Sequence, residues 1–111
     1  MANLWMFTWT EYERGWGQRP DGCSIHATRE DALQFVKDYW AKERASDGGV
    51  VSDEYSREDS KEPQEIIIDS RNKFYRQVVA AKKKGAKGIF LGQGELYELR
   101  DKMDNRPRVG R

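Results

Sequence analysis

The segment that most constrains the fold of this chain is Glu11–Asp31, which reads EYERGWGQRPDGCSIHATRED. It contains the end of one strand, a Gly-Trp-Gly turn, an Arg-Pro-Asp-Gly turn, a second strand from Cys23 to Ala27 and the start of a helix. The connection is too long for a two-residue hairpin, but antiparallel pairing is the simplest way to join the two strands. The segment also holds the only Cys and the only His of the chain, so it is the first place to look for a site.

The residues on either side of this segment predict a longer strand and a helix. Between Asn3 and Tyr12, aromatic side chains occupy every second position, which is typical of a strand with those side chains in the core. The aromatic residues are Trp5, Phe7 and Trp9, and those on the other face are Met6, Thr8 and Thr10. Thr28 and Asp31 form a variant of the capping box, and apolar residues then recur at helical spacing to about Arg44.

The second half of the chain predicts a loop, a buried strand and another helix. Ala45–Pro63 is polar and longer than the usual connection in a compact domain, which indicates a mobile or functional loop. Gln64–Asp69 contains three consecutive isoleucines, which is typical of a buried central strand. Ser70 caps the second helix, which ends at Gly85 or Gly88.

The last elements complete the predicted fold class. Ile89–Leu91 predicts a short strand, and Glu95–Arg100 is either its hairpin partner or part of a helical turn that reaches Lys102. The order ββαβαβ, with a final strand as an alternative, predicts an α+β fold in which two helices cover one face of a small, mostly antiparallel or mixed sheet. At 111 residues we expect a single domain over 1–100, followed by a flexible basic tail over 101–111.

Composition narrows the setting in which the chain works. A single Cys excludes an internal disulfide and fits a reducing compartment. The first ten residues lack the basic and apolar regions of a signal peptide, and no apolar stretch approaches the ~18 residues of a membrane span. We therefore expect a cytoplasmic protein that makes no contact with membranes.

Charge is balanced over the whole chain, at +1, but unevenly distributed along it. Residues 46–65 carry seven acidic and two basic side chains, whereas residues 71–87 carry seven basic and no acidic ones. Solvated faces account for both blocks. The alternatives are that Tyr55 anchors the acidic segment on a protein partner, and that the basic block attracts nucleic acid without sequence specificity. The candidate anion-binding side chains are Lys82, Lys83, Lys84 and Lys87.

The residue types that usually carry catalysis or bind metals are sparse. Cys23 and His26 have half of a zinc-binding spacing, but no second pair exists, so we expect no metal and no cofactor. Residues three apart on a strand point to opposite faces, so we predict a core Cys and a surface or capping His rather than a catalytic pair. Glu11 and Glu13 lie about 7 Å apart on one strand face, as paired carboxylates do and as any polar strand end does.

The loop sequence GWGQRPDG is the candidate recognition element. It does not fit the spacing of dinucleotide-binding or P-loop motifs. Arg14 and Arg19 could still clamp an anion while Trp16 stacks on a ring. Together with Tyr12 and His26, these residues would form a pocket for a small phosphate-bearing ligand, with a dimer interface as one setting. The alternative is a purely structural turn.

The opening third of the chain resembles small uncharacterised proteins of phage and mobile-element genomes. The residues that carry the resemblance are the aromatic strand Leu4–Trp9 and the sequences EYERGWGQRPDG and TREDALQFVKDYW, which together lie within residues 4–40. The resemblance implies a short accessory protein that blocks a host factor, as an anti-defence protein does, or sequesters a small signalling molecule. It implies no catalytic residue.

These observations rank three functions. The first is a non-enzymatic protein that recognises, and inhibits, a macromolecular partner, because no catalytic set is assembled and the charges are segregated. The second is a binder of a small, nucleotide-type ligand. The third is a small hydrolase that uses Glu11, His26 or Asp21.

Overall fold

The computed structural model describes residues 1–13, 17–46 and 54–103, without the side chains of residues 44–46 and 54. The order of elements in these ranges is β1β2α1β3β4α2β5α3. The strands are β1 Ala2–Glu13, β2 Gly17–His26, β3 Glu54–Glu58, β4 Gln64–Ile68 and β5 Ile89–Leu91. The helices are α1 Arg29–Ser46, α2 Lys73–Lys83 and α3 Gln93–Lys102.

The long strand β1 organises the sheet. It pairs with β2 along one edge, and with both β4 and β3 along the other, β4 near its start and β3 near its end. The strand β5 pairs with β2, and every one of these pairings is antiparallel. The predicted α+β fold with a mostly antiparallel sheet is therefore confirmed.

Both faces of β1 are buried, although only the odd-numbered positions were predicted to be core. Phe7 and Trp9 are 1% and 2% exposed and pack against α1, as the alternation of aromatic side chains predicts. Leu4 and Met6, on the opposite face, are 0% and 4% exposed. A strand that is covered on both sides needs consecutive apolar residues, and the run Leu4–Phe7 supplies them.

The helices are divided between the two faces of the sheet, whereas two helices on one face were predicted. α1 covers Phe7 and Trp9. α2 and α3 cover Leu4 and Met6 with four buried side chains. These are Phe74, Val78, Leu96 and Leu99. The division follows from β1, because each of its faces exposes an apolar surface that a helix has to cover.

The polar segment Ala45–Pro63, predicted as a loop, contains the strand β3. Tyr55 lies opposite Tyr12 of β1, so the strand is held by a cross-strand aromatic pair. Beyond its end, the hydroxyls of Thr8 and Thr10 each donate to the carboxylate of Asp59 at 2.6 Å. Residues 47–53 of the predicted loop lie outside the described residues.

Two helix boundaries differ in detail from the prediction. α2 is capped by Asn72 rather than Ser70, because the Asn72 side chain accepts a hydrogen bond from the Phe74 backbone N–H at 2.8 Å. The helix ends, as predicted, at Gly85, which has the positive φ of +93° that glycine adopts without strain.

Residues 95–100 are helical, which settles the two alternatives left by the sequence. They belong to α3, whose first turn is held by a hydrogen bond from the Gly92 N–H to the Glu95 carboxylate at 3.3 Å. The helix includes Asp101 and Lys102, and Met103 then forms a bridge with Ile68 of β4. The tail predicted over 101–111 falls outside the described residues from 104 onward.

Candidate functional site

Three strands meet at one end of the sheet in a region that we call the distal sheet end, residues 10–13, 17–20 and 55–57. These residues belong to neither of the two buried clusters of the core. Tyr12 lies opposite Gln18 of β2 and Tyr55 of β3, and Glu11 lies opposite Arg19. The register therefore brings Tyr12, Arg19 and Tyr55, three of the predicted binding residues, to one place.

An aromatic stack is the most prominent feature of the distal sheet end. The rings of Tyr12 and Tyr55 are stacked, with centroids 5.4 Å apart and planes 19° from parallel. The ring of Trp40 lies 5.9 Å from that of Tyr55, and its indole N–H donates to the Glu58 carboxylate at 3.0 Å. Tyr39 continues the series inward, 5.1 Å from Trp40 and 5.1 Å from the buried Trp9. The stack is thus attached to the core through α1.

The backbone of β3 is held in position by two polar contacts of Ser56. Its N–H donates to the Tyr39 hydroxyl at 2.9 Å, and its own hydroxyl donates to the Asp21 carboxylate. Asp21 is the extra residue of a β-bulge in β2, since Trp9 pairs with Gly22 and Thr10 with Pro20. A bulge changes the direction of a side chain in this way. These contacts fix the strand that carries Tyr55.

Arg19 is engaged by carboxylates of the same sheet end. Its guanidinium donates to Glu11 through two nitrogens at 3.2 Å and to Glu13 at 3.3 Å. The hydrogen bond from Arg19 holds the pKa of Glu11 below its usual value, and the same bond raises the pKa of Arg19. Glu11 is therefore kept ionised, which is the opposite of what a general acid in glycoside hydrolysis requires.

His26 lies at the other end of the sheet and is completely buried, whereas a surface or capping His was predicted. It pairs with Trp5, while Arg19 pairs with Glu11, so about 20 Å of strand separates the two sites. His26 and Glu11, the residues considered for a hydrolase, are not brought together. Trp16 and Arg14 lie outside the described residues.

A continuous hydrogen-bond chain surrounds His26. The Trp9 indole N–H donates to the Ser24 hydroxyl at 2.9 Å, and this hydroxyl lies 2.9 Å from His26 Nε2. His26 Nδ1 lies 2.9 Å from the backbone oxygen of Lys87, which can only accept, so Nδ1 carries the proton and Nε2 accepts from Ser24. Burial lowers the pKa of His26 to about 4. Every member is satisfied with a neutral imidazole, so the chain is structural.

Close packing at Gly88 accompanies this arrangement. A Cβ atom on Gly88 would lie 2.2 Å from His26 Nδ1 and 2.7 Å from the backbone oxygen of Ile25. The backbone of residues 87 and 88 therefore lies directly against the imidazole. A glycine is needed at this position for steric reasons, and not for its φ angle.

Cys23 lies on the opposite face of β2 from His26, as the strand periodicity predicts. Its side chain belongs to the cluster under α2 and α3, whereas His26 contacts Phe7 and Phe35 on the α1 side. Burial raises the pKa of the Cys23 thiol to about 12. Within residues 1–13, 17–46 and 54–103, no group of three or more His, Cys, Asp or Glu side chains is placed to hold a metal ion.

Cys23 is accordingly expected to be unreactive in the native protein. At pH 8 its thiol should react with iodoacetamide at least about a hundredfold more slowly than in guanidinium chloride, because the thiolate is the nucleophile and burial disfavours it. Intact-mass measurement of the labelling time course, with and without denaturant, tests this. Equal rates in the two conditions would show that the thiol is accessible.

The predicted anion-binding lysines are divided by Asp31. Asp31 is 7% exposed and forms an ion pair with Lys82, and its other carboxylate oxygen lies 4.0 Å from Lys87 Nζ. These contacts join the start of α1 to the end of α2. Lys83 and Lys84 are exposed at the C-terminal end of α2. The four lysines therefore share a location, and Asp31 engages two of them.

A groove that the sequence did not reveal lies between α1 and the loop that follows α2. We call it the α1 groove; its volume is about 450 Å³. It is lined by Phe35, Asp38, Tyr39, Lys42, Gly85, Ala86, Lys87 and Gly88. The α1 residues follow the i, i+3, i+4, i+7 spacing of one helix face, which is the only sequence signal for this wall. A second cavity of about 360 Å³ lies beside the distal sheet end and is lined by Tyr12 and residues 57–61.

Comparison of the chain with protein-family models, with curated proteins and with solved structures found no match. Among the helices that the structure describes, none is both long enough and apolar enough to cross a membrane. The functional argument therefore depends on the geometry of the distal sheet end, the buried polar residues and the α1 groove.

Proposed function

We propose that the protein is a non-enzymatic binding protein that recognises a protein partner through the distal sheet end. The observation that carries this proposal is the Tyr12–Tyr55 stack, which is built outside both core clusters. Two large rings that contribute little to the core are costly to leave half-exposed. Tyr, Trp and Arg dominate the binding energy of protein interfaces, and this region contains all three.

The charges around the stack support a protein partner over a nucleic acid. Arg19 and Arg57 lie beside Glu11 and Glu13, so the region carries both signs. A surface that neutralises phosphates is dominated by basic residues. Mixed charges around an aromatic centre are typical of the polar rim of a protein interface.

The burial of the reactive groups supports a function without catalysis. Cys23, Ser24 and His26 are each 0% exposed, and the hydrogen-bond chain occupies both ring nitrogens of His26. Glu11 is held ionised by Arg19. A nucleophile and its base have to reach the substrate, and these groups do not reach the surface.

Inhibition of the partner is part of the same proposal. The resemblance of residues 4–40 to phage and mobile-element proteins supports an accessory, anti-defence role. A small domain that presents a fixed aromatic surface inhibits a larger protein by covering its working surface.

Affinity capture with matched variants tests the proposal. The immobilised wild-type protein, Tyr55→Ala and Tyr97→Ala are each incubated with lysate of the native cell, and bound proteins are quantified by mass spectrometry. Tyr97 is a suitable control because it is 59% exposed and lies on α3, away from β3. We expect one protein to be captured by wild type and Tyr97→Ala and to be reduced at least about tenfold by Tyr55→Ala, as for an interface hot spot.

The melting temperature of each variant shows whether the fold survives. Loss of one cross-strand aromatic pair costs about 0.2–1 kcal/mol, so Tyr55→Ala should remain folded at the temperature of the experiment. Capture of the same proteins in the same amounts by a folded Tyr55→Ala variant would overturn the proposal.

A further inference from the structure

The two walls of the α1 groove are held in place by the same buried residue. On one side, the ring of Phe35 lies 4.9 Å from the imidazole of His26. On the other, the backbone oxygen of Lys87 accepts the hydrogen bond of His26 Nδ1, and Gly88 packs directly against the ring. His26 is itself completely buried. The distance between the walls is thus set by the core of the protein.

The aromatic side of the groove is also rigid. The rings of Phe35 and Tyr39 pack edge-on against the buried Trp9, at 6.3 and 5.1 Å between centroids. The Tyr39 hydroxyl accepts the Ser56 N–H, which fixes the orientation of that ring. The apolar lining of the groove therefore exists before anything binds to it.

The opposite wall is a short loop with little side-chain bulk. The Gly85 N–H donates to the Lys82 backbone oxygen at 2.9 Å, and the Ala86 N–H donates to that of Ala81 at 3.0 Å. Gly85 and Gly88 have no side chain, and that of Ala86 is a single methyl group. A ligand can therefore approach the backbone of this loop closely.

The charged groups in the groove favour an anion. The lining contains the two ammonium groups of Lys42 and Lys87 and one carboxylate, that of Asp38. The neighbouring Gln34 amide donates to the Asp38 carboxylate at 2.8 Å. Lys87 is 46% exposed, and Asp31 has a closer partner in Lys82, so Lys87 can turn toward a ligand without leaving Asp31 unpaired.

We propose that the α1 groove binds a small molecule that consists of one planar, apolar ring system carrying a carboxylate or a phosphate group. The volume of about 450 Å³ lies within the range of small-molecule sites. Phe35 and Tyr39 contact the ring system, and Lys87 with Lys42 binds the anionic group. This site is separate from the distal sheet end, so the inference does not depend on the proposed function.

A set of three matched compounds tests the inference. Naphthoate, naphthyl phosphate and the uncharged naphthamide share one ring system and differ in the group attached to it. Each is titrated into the nitrogen-15-labelled protein and followed through the backbone amide signals. We expect saturable shifts within residues 35–42 and 85–88, with at least one anion binding about tenfold more tightly than the amide. Whichever anion binds more tightly identifies the source as a carboxylate or a phosphate.

Two variants and a control separate the contributions of charge and shape. Lys87→Gln should weaken the anions about tenfold and leave naphthamide unchanged. Ala86→Trp should abolish binding of all three compounds by filling the groove, and Ala86 is exposed, so the fold should be retained. Lys61→Gln removes a cation that lines the other cavity and should change nothing. Equal affinity for naphthamide and the anions, shifts outside these residues, or no saturable shift at millimolar concentration would each overturn the inference.

Discussion

Replacing Trp9 by alanine is expected to lower the free energy of unfolding by about 3–5 kcal/mol, as for other large-to-small changes in a core. Trp9 is 2% exposed and packs against the rings of Phe35, Tyr39 and Phe90, at 5.1–6.3 Å between centroids. The substitution also removes the donor to Ser24. Denaturant-induced unfolding of the variant and the wild-type protein measures the difference.

Trp5→Ala provides the matched control for this experiment. Trp5 lies on the same face of the same strand, but it is only partly buried and packs at the border of the cluster. Its loss should cost clearly less than the loss of Trp9, because less apolar surface leaves the water in the first place. Equal losses for the two variants would contradict the central position of Trp9.

The protein is expected to lose about 2 kcal/mol of stability between pH 7 and pH 5 through His26 alone. Burial lowers the pKa of His26 to about 4 in the folded state, from an ordinary value of 6.5. The unfolded chain therefore takes up a proton that the folded one does not. The stabilisation is complete above pH 6.5 and is lost as the pH falls toward 4.

Two measurements check this pH dependence. Unfolding free energies at several pH values should show the decrease in wild type and a much smaller one in His26→Gln, which has no group that titrates near pH 6. Because His26 is the only histidine, its ring signals in the NMR spectrum can be followed without ambiguity even if the variant fails to fold. A ring that titrates near pH 6.5 in the folded protein would contradict the prediction.

Local patterns predicted the elements whose signal is contained in their own residues. β1 was found from its alternating aromatic residues, and α1 from Thr28, whose hydroxyl accepts the Asp31 N–H at 3.0 Å. β3 was missed because its residues are polar and its strand is specified by its partners, Tyr12 and Tyr39. α3 was left open between strand and helix because Gly92 and Gly94 weaken its helical signal, and buried Leu96 and Leu99 decide the outcome.

The candidate sites divide in the same way. Tyr12, Arg19 and Tyr55 were named from residue type, and strand register then brought them together. The burial of His26 could not be predicted, because its partners Ser24 and Lys87 become neighbours only when β5 pairs with β2. The α1 groove was also missed, because it lies between two elements that are about forty residues apart in the chain.

The close approach of Gly88 to His26 has a consequence for how this chain can change by mutation over generations. A side chain at position 88 would collide with the imidazole and also with the backbone of Ile25, so a smaller residue at position 26 would relieve only part of the conflict. Lineages that keep β5 beside β2 should therefore retain glycine at position 88. Where a descendant has lost it, position 26 should have changed as well, and the pairing of the two strands with it.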